Sequence, residues 1–169
     1  LVRFELGALR GAFDFGDGPR AAVAVAWGDV VTARYTAGFD DIEVWWEETP
    51  TLRAMLTARA MLGPVADSAS TQAWAQRLAG MAPEGPDAIT RAGRTATLVG
   101  EATDRRGKVV RARVVAPEAY TTTVRAALAL VARCLAGDMQ AGFQTPGRVY
   151  GASLLAQVEG ARLDDLDDR

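Results

Sequence analysis

The sequence contains no histidine, a single cysteine and a single lysine, and these scarcities restrict its chemistry. Without histidine, the chain has no Ser-His-Asp or Cys-His nucleophile system of its own, and it lacks a common ligand of zinc. The one thiol, Cys134, has no intramolecular partner for a disulfide, which favours a reducing compartment and predicts a cytoplasmic protein. Cys134 lies in the apolar stretch 128–135, which predicts a small buried side chain.

Long hydrophobic runs and an excess of one charge are also missing. Arg125, Arg133 and Asp138 interrupt the longest apolar candidate, so no membrane-spanning helix is predicted. The 19 basic and 21 acidic residues leave a net charge of −2, without the basic excess typical of nucleic-acid binding. We therefore expect neither a membrane nor a nucleic acid as partner. The 49% hydrophobic content and the length predict one globular domain over residues 1–169.

Two further absences concern the amino-terminal part. The chain begins with Leu1, without an initiator methionine or a signal peptide, so we expect it to be a piece of a longer protein. No Gly-x-Gly-x-x-Gly turn follows a strand; the nearest glycine cluster, 7–18, has a different spacing and context. No phosphate-binding loop is predicted, and no metal site either.

Hydrophobic periodicity and turn residues predict the order of the elements. We predict strands over 2–6, 21–27, 30–35, 42–46, 95–103 and 109–116, helices over 49–63, 68–81 and 117–137, a last helix from Thr145 towards Val158, and a solvated tail over 164–169. This order lacks the strict alternation of a doubly wound parallel sheet. It predicts an α+β fold, with a largely antiparallel mixed sheet covered by helices on one face.

The most informative motif is the segment 142–146, which reads Gly-Phe-Gln-Thr-Pro and is followed by Tyr-Gly-Ala at 150–152. Thr145 is a favourable N-cap, and Pro146 suits the first helical position because it has no amide hydrogen. Apolar residues at helical spacing follow, so a buried helix is predicted to begin here.

Three other segments precede this motif in a distinctive order. Residues 27–30 read Trp-Gly-Asp-Val, residues 42–45 read Ile-Glu-Val-Trp, and residues 112–120 include Ala-Arg and Pro-Glu-Ala-Tyr. Together with 142–146, they resemble the second domain of saccharopine dehydrogenase-like oxidoreductases. The chain departs from the family pattern at Ala26, where the family has proline, and at Trp45, where it usually has tyrosine.

The resemblance implies the C-terminal substrate-binding or oligomerisation domain of an NAD(P)-dependent oxidoreductase, beside an N-terminal Rossmann domain. No cofactor is expected in this chain, which should be inactive alone; NAD(P) is implied for the whole protein, with hydride transfer on an undetermined substrate. The implied partners are the protein's own nucleotide-binding domain, a small-molecule substrate and a second copy in a homodimer. The alternative is a non-enzymatic dimerisation or apolar-ligand-binding module with the same fold.

Five residues are candidates for contact with substrate or with the nucleotide-binding domain, and no catalytic residue is assigned: Trp27, Asp29, Gln144, Thr145 and Tyr150. Gln144 and Thr145 lie just before a helix amino end, which suits an anion or a neighbouring domain. Because the Thr145 hydroxyl alone completes a cap, Gln144 is expected to be substantially exposed. The alternatives are structural: a cap and turn, a buried indole beside an Asp29 that accepts backbone hydrogen bonds, and core packing for Tyr150.

Trp45 and Trp46 are adjacent in a predicted strand and should therefore point to opposite faces. One indole should enter the core, and the other must meet solvent, a partner or a ligand. This favours a homodimer formed through the sheet or through this strand.

Overall fold

The structure is a computed structural model that describes residues 7–81 and 85–167. In chain order its elements are β1 (Arg10–Asp14), β2 (Pro19–Ala24), α1 (Gly28–Ala37), β3 (Trp45–Glu47), α2 (Pro50–Leu62), α3 (Ala69–Gly80), α4 (Ala88–Ala92), β4 (Thr95–Thr103), β5 (Val109–Pro117), α5 (Ala119–Leu135), α6 (Pro146–Tyr150) and β6 (Arg162–Asp165). Two 3₁₀ segments, Gly63–Asp67 and Gly151–Gln157, follow α2 and α6. The α+β prediction is confirmed. None of the helices described has the length and apolar composition to cross a bilayer.

Within the described residues, the strands form two antiparallel sheets rather than the single mixed sheet predicted. Sheet A has the order β1-β2-β3, and sheet B has the order β4-β5-β6. The predicted hairpin β4-β5 is confirmed. Asp104 tightens its turn, because one carboxylate oxygen accepts hydrogen bonds from the backbone N–H groups of Arg106 and Lys108, at 2.8 and 2.9 Å.

Sheet A holds the main hydrophobic core. Residues 22–24 of its central strand and Val25, which follows it, are buried, and Val23 is completely inaccessible. The helix α2 covers this strand and packs Leu56 into the cluster. As predicted, α2 begins at Thr49 and Pro50: the Thr49 hydroxyl accepts the backbone N–H of the third helical residue, at 3.2 Å.

The segment 30–35, which the sequence predicts as extended, is helical, so that prediction is wrong. It belongs to α1, where Asp29 lies in the first turn and Gly38 ends the helix with a φ of 72°. The Gly38 N–H donates to the Arg34 carbonyl at 2.9 Å, which closes the last turn. These boundary residues outweigh the β-propensity of the valines, threonine and tyrosine between them.

The carboxyl-terminal part also differs from the sequence prediction. The tail was expected to be solvated from residue 164 on, but residues 162–165 form β6 against β5, and Asp164 pairs with Arg113 at 3.0 Å. The last helix ends at Tyr150 and continues as 3₁₀ turns to Gln157. Cys134 is exposed rather than buried. The predicted strand at 2–6 lies outside the described residues.

Sheet B has one apolar and one charged face. Leu98, Val114 and Leu163 lie side by side across the three strands on the apolar face, whereas Arg113 and Asp164 lie on the other. Leu98 and Leu163 remain exposed. The predicted cover of helices on one face therefore applies to sheet A and is incomplete on sheet B.

Candidate functional site: an apolar ridge along α1

The helix α1 connects the two most distinctive segments of the sequence. Trp27 immediately precedes α1, and Thr145 immediately precedes α6. The helix α6 packs on the far end of α1, where the Thr36 and Thr145 hydroxyl oxygens are 2.7 Å apart. At 1.5 Å per residue, the two segments are separated by about 14 Å along the axis of α1. They therefore border one surface.

Exposed apolar side chains run along α1 between these two segments. We call this row the α1 ridge; it consists of Trp27, Val31, Tyr35, Trp46 and Phe143. The first three recur every fourth residue and so share one side of the helix. The Trp46 ring packs edge-on against Trp27 with centroids 4.6 Å apart, and Phe143 packs in the same manner against Tyr35 at 5.3 Å. All five side chains are between 44% and 71% exposed. A contiguous apolar surface of this kind marks a contact with a protein or a ligand.

The two adjacent tryptophans lie on different surfaces, as the sequence predicts, but neither indole enters the buried core. Trp45 is partly buried and packs against Phe13 at a centroid distance of 5.0 Å, whereas Trp46 is exposed on the α1 ridge. The sequence did not predict that the exposed indole would meet Trp27, because this contact joins β3 to the start of α1. It follows that the side of β3 bearing Trp46 belongs to the candidate site.

Thr145 caps α6, as predicted, and it also joins α6 to α1, which the sequence did not predict. Its side chain is buried, and its hydroxyl accepts the backbone N–H of Arg148 at 3.3 Å while it contacts Thr36. The close approach of α6 to α1 depends on Gly147, since a Cβ there would lie 2.9 Å from the Thr36 methyl carbon. Thr145 therefore fixes the position of the 142–146 segment on α1.

Gln144 is partly buried, so the prediction of substantial exposure is wrong. The turn at Gly142, with a φ of 88°, brings the chain back so that the Gln144 amide nitrogen donates to the Ala141 carbonyl at 3.2 Å. Its amide oxygen is buried and accepts no hydrogen bond from the described residues. Such an oxygen is destabilising until a donor reaches it. Gln144 therefore remains a candidate for contact with another group.

Asp29 has a local structural role. It lies exposed in the first turn of α1, where the partial positive charge of the helix amino end favours a carboxylate. A carboxylate at this helix amino end would repel a phosphate group. Asp29 therefore supports α1 at the Trp27 end of the α1 ridge.

Tyr150 lies apart from the other four candidates. Its hydroxyl donates to the Asp138 carbonyl at 2.6 Å, and the Arg133 guanidinium lies over its ring at 4.6 Å from the centroid. Burial raises the pKa of the Tyr150 hydroxyl above its usual value, and the nearby Cys134 and Asp138 add to the increase. The hydroxyl stays protonated at neutral pH, and its role is to tie α6 to the loop after α5.

The glycine cluster near the amino end does not fit NAD(P). The loop with Gly16 and Gly18 joins two antiparallel strands, β1 and β2, and leads into no helix. Its backbone N–H groups donate to an Asp14 carboxylate oxygen at 2.7 and 3.0 Å, and these bonds lower the pKa of Asp14. A phosphate would meet a carboxylate in place of free N–H donors. Nor do residues 7–81 and 85–167 contain a cluster of three carboxylate or thiol side chains placed to bind a metal.

Comparison with known proteins gives no match: no family model, no curated protein and no solved structure corresponds to the chain. The role of the α1 ridge must therefore be inferred from its own residues. Sequence reasoning missed Val31, Tyr35 and Phe143 as members of the site. The signal was present in the four-residue spacing of Trp27, Val31 and Tyr35, but the local β-propensity concealed it.

Proposed function

We propose that this chain is the C-terminal, substrate-side domain of a saccharopine dehydrogenase-like NAD(P)-dependent oxidoreductase. In this proposal, the α1 ridge faces the nucleotide-binding domain and the substrate cleft. One observation carries it: both family-like segments, 27–30 and 142–146, border one exposed apolar surface. The two segments begin 115 residues apart in the sequence (142 − 27), and α1 connects them. The unpaired Cys134 supports a cytoplasmic location.

The chemistry divides between two domains. NAD(P) would bind to the N-terminal domain and supply hydride transfer. In the glycine loop of this chain, the Asp14 carboxylate already accepts the backbone N–H groups of Gly16 and Gly18 that a phosphate would need. The α1 ridge would exclude water from the cleft, and the Gln144 amide oxygen would accept a hydrogen bond from the other domain or the substrate. The five side chains of the α1 ridge carry no charge. They favour an apolar carbonyl or enoyl compound over an amino acid.

A homodimer belongs to the same proposal. The alternative function is a non-enzymatic module that dimerises or binds an apolar ligand. The amount of exposed apolar surface favours this alternative as well, since the α1 ridge would hold an apolar ligand without any chemistry. The two functions differ in one respect: only the oxidoreductase requires a bound nicotinamide cofactor.

The test uses the protein expressed from its complete gene. NADH and NADPH binding is measured by calorimetry, and cofactor oxidation is followed with a medium-chain enoyl thioester, a long-chain ketone and a 2-oxo acid with an amine. Trp27→Ala and Gln144→Ala should each lower kcat/KM by about tenfold or more, the effect of losing about 1.4 kcal/mol of transition-state stabilisation. Met61→Ala is the matched control, since Met61 is 83% exposed on α2 and lies outside the α1 ridge.

Each result decides between the functions. Cofactor binding with a loss of activity in the α1 ridge variants alone supports the oxidoreductase. Unchanged activity in those variants contradicts the assigned site. Absence of cofactor binding, together with quenching of tryptophan fluorescence by a fatty acid, supports the non-enzymatic module.

A further inference from the structure

The helix α5 presents its apolar side to solvent. Six of its exposed apolar residues form a row that we call the α5 stripe: Tyr120, Val124, Ala127, Leu128, Val131 and Leu135. At 100° per residue these positions occupy an arc of about 100°, the width that usually faces a core. Yet its five large side chains are between 53% and 84% exposed.

Polar contacts on the opposite side hold α5 in this orientation. Arg125 donates from its guanidinium to the Glu159 carbonyl at 2.5 Å, and Arg133 donates to the Gln157 amide oxygen at 3.0 Å. The segment 151–159 therefore covers the arginine side of α5. The outward direction of the α5 stripe follows from these two contacts.

The α5 stripe has the same spacing in both directions along the helix. Its positions are symmetric about the peptide bond between residues 127 and 128, since 120 and 135, 124 and 131, and 127 and 128 each lie equally far from it. A twofold axis through that point would set Tyr120 opposite Leu135 of the partner subunit, Val124 opposite Val131 of the partner subunit, and small Ala127 opposite Leu128 of the partner subunit. Twofold dimers require such a self-complementary surface. The antiparallel arrangement also brings opposite ends of the two helix dipoles together.

The chain exposes more surface than one folded copy of its mass usually does. The chain exposes 12,852 Å² at a mass of 17.9 kDa, whereas a folded monomer of that mass exposes about 8,000 Å². A stable interface takes about 800 Å² from each partner. The α5 stripe, about 25 Å long and 10 Å wide, provides roughly a third of this as a flat footprint. Leu98 and Leu163, on the open apolar face of sheet B, are further exposed apolar side chains of the same chain.

We propose that the α5 stripe is the dimer interface, and that its occupant is the antiparallel α5 helix of a second copy of this chain. The proposal replaces the interface that the sequence favoured, the sheet or its tryptophan-bearing strand, because the exposed Trp46 belongs to the α1 ridge, which the proposed function assigns to the nucleotide-binding domain and the substrate. It rests on the homodimer part of the proposed function alone. The α1 ridge stays open for a nucleotide-binding domain.

The first experiment measures mass. Light scattering of the complete protein at tens of micromolar should give twice the mass of one copy. Leu128→Asp places a charge at the centre of the interface and should raise the dimer Kd by about 30-fold or more, as for an interface hot spot. Circular dichroism should be unchanged, since Leu128 is exposed in one copy. Met61→Asp, an equally disruptive change on exposed α2, should remain dimeric. A monomeric wild type or a dimeric Leu128→Asp variant overturns the proposal.

The second experiment tests the helix direction. Cys134→Ser removes the only cysteine of this chain, and any cysteines elsewhere in the complete protein are changed to serine as well, which gives a background for single thiols. In that background, Ala127→Cys should be crosslinked by a short bis-maleimide, because both thiols flank the axis. Tyr120→Cys and Leu135→Cys should be crosslinked when mixed and not when separate. Crosslinking of separate Leu135→Cys would overturn the antiparallel arrangement. These readouts involve no cofactor, so an inactive protein that still dimerises contradicts only the proposed oxidoreductase.

Discussion

The central strands β2 and β5 hold the same position in their sheets but differ in burial. Residues 22–24, at the end of β2, are buried, whereas Ala116 is the one buried residue of β5. The difference comes from the helices. In sheet A, α2 lies on the central strand and contributes Leu56 to the core. After β5, α5 directs its arginines to the segment 151–159 and leaves the apolar face of sheet B open.

The comparison separates two uses of apolar side chains. In sheet A they stabilise the single chain, because a helix of the same chain covers them. In sheet B and α5 they remain available for association. The contacts that connect these regions include the Thr36–Thr145 hydroxyl pair, the packing of Phe143 on Tyr35, and the approach of Arg113 to Gly16, where a Cβ would lie 2.2 Å from a guanidinium nitrogen.

The largest expected effect compares one leucine in each region. Leu56→Ala should lower the free energy of unfolding by about 2–5 kcal/mol, because it leaves a cavity in the core of sheet A. Leu128→Ala should lower it only at concentrations where the protein dimerises, since Leu128 is exposed in a single copy. Urea unfolding at two protein concentrations measures both. Equal, concentration-independent losses would show that the two regions do not differ in this way.

Changes at the contact between α1 and α6 should have the next largest effect on the free energy of unfolding. Gly147→Ala should cost about 1–3 kcal/mol, since the new methyl group would lie 2.9 Å from the Thr36 methyl carbon. Thr36→Ser removes that carbon and keeps the hydroxyl, so the double variant should recover most of the loss. Thermal unfolding of the four proteins measures the coupling. If Thr36→Ser gives no recovery, the Thr36 methyl group is not what makes alanine unfavourable at position 147.

Thr145→Ala should cost about 1–2 kcal/mol, because it removes the cap of α6 and the bond to Thr36 together. Thr36→Ala leaves the cap but removes the bond to Thr145 and the 2.8 Å bond from the Thr36 hydroxyl to the Thr32 carbonyl. Because the two variants share the Thr36–Thr145 bond, their losses should not add. A double-mutant cycle by urea unfolding measures this. Full additivity would mean that the two hydroxyl groups do not interact.

Acid should weaken the attachment of β6 to sheet B. The hydrogen bond from Arg113, with a further contribution from Arg162, holds the pKa of Asp164 below its usual value of 3.8. A carboxyl with a lowered folded-state pKa stabilises the protein above pH 3.8 and loses this contribution as the pH falls through the folded value. Between neutral pH and pH 3 the melting temperature of Asp164→Asn should fall less than that of the wild type. A parallel fall in both proteins would contradict this assignment.

The sequence predicted the elements whose signals are local. Thr49 and Pro50 mark the start of α2, and Asp104 marks the turn of β4-β5, because a cap or a tight turn depends on neighbours in the chain. The sequence prediction was wrong for α1, because the β-propensity of its residues opposed the signals at the helix boundaries. It was also wrong for β6, because β6 pairs with residues of β5 that lie about 50 positions earlier in the chain. Such pairings leave little trace in a local pattern.

The candidate site was predicted in part for the same reason. The Thr145 cap is local and is confirmed. The contacts of Thr145 with Thr36, and of Phe143 with Tyr35, join distant segments, and no spacing predicts them. Tyr150 shared a motif with Gln144, but its hydroxyl bonds to the loop after α5. Proximity in sequence thus grouped residues that the fold directs to different surfaces.

The smallest expected effect on stability concerns Gln144. Its amide oxygen is buried without a donor from the described residues, and its amide nitrogen makes one bond to Ala141. Gln144→Ala removes a favourable bond and an unfavourable buried oxygen together, so the free energy of unfolding should change by less than about 0.5 kcal/mol. Gln157→Ala is the matched control: it removes an acceptor that Arg133 uses at 3.0 Å and should cost more. If Gln144→Ala destabilises the protein more than Gln157→Ala does, Gln144 stabilises the turn, and its amide oxygen is not a site for a hydrogen-bond donor from outside the chain.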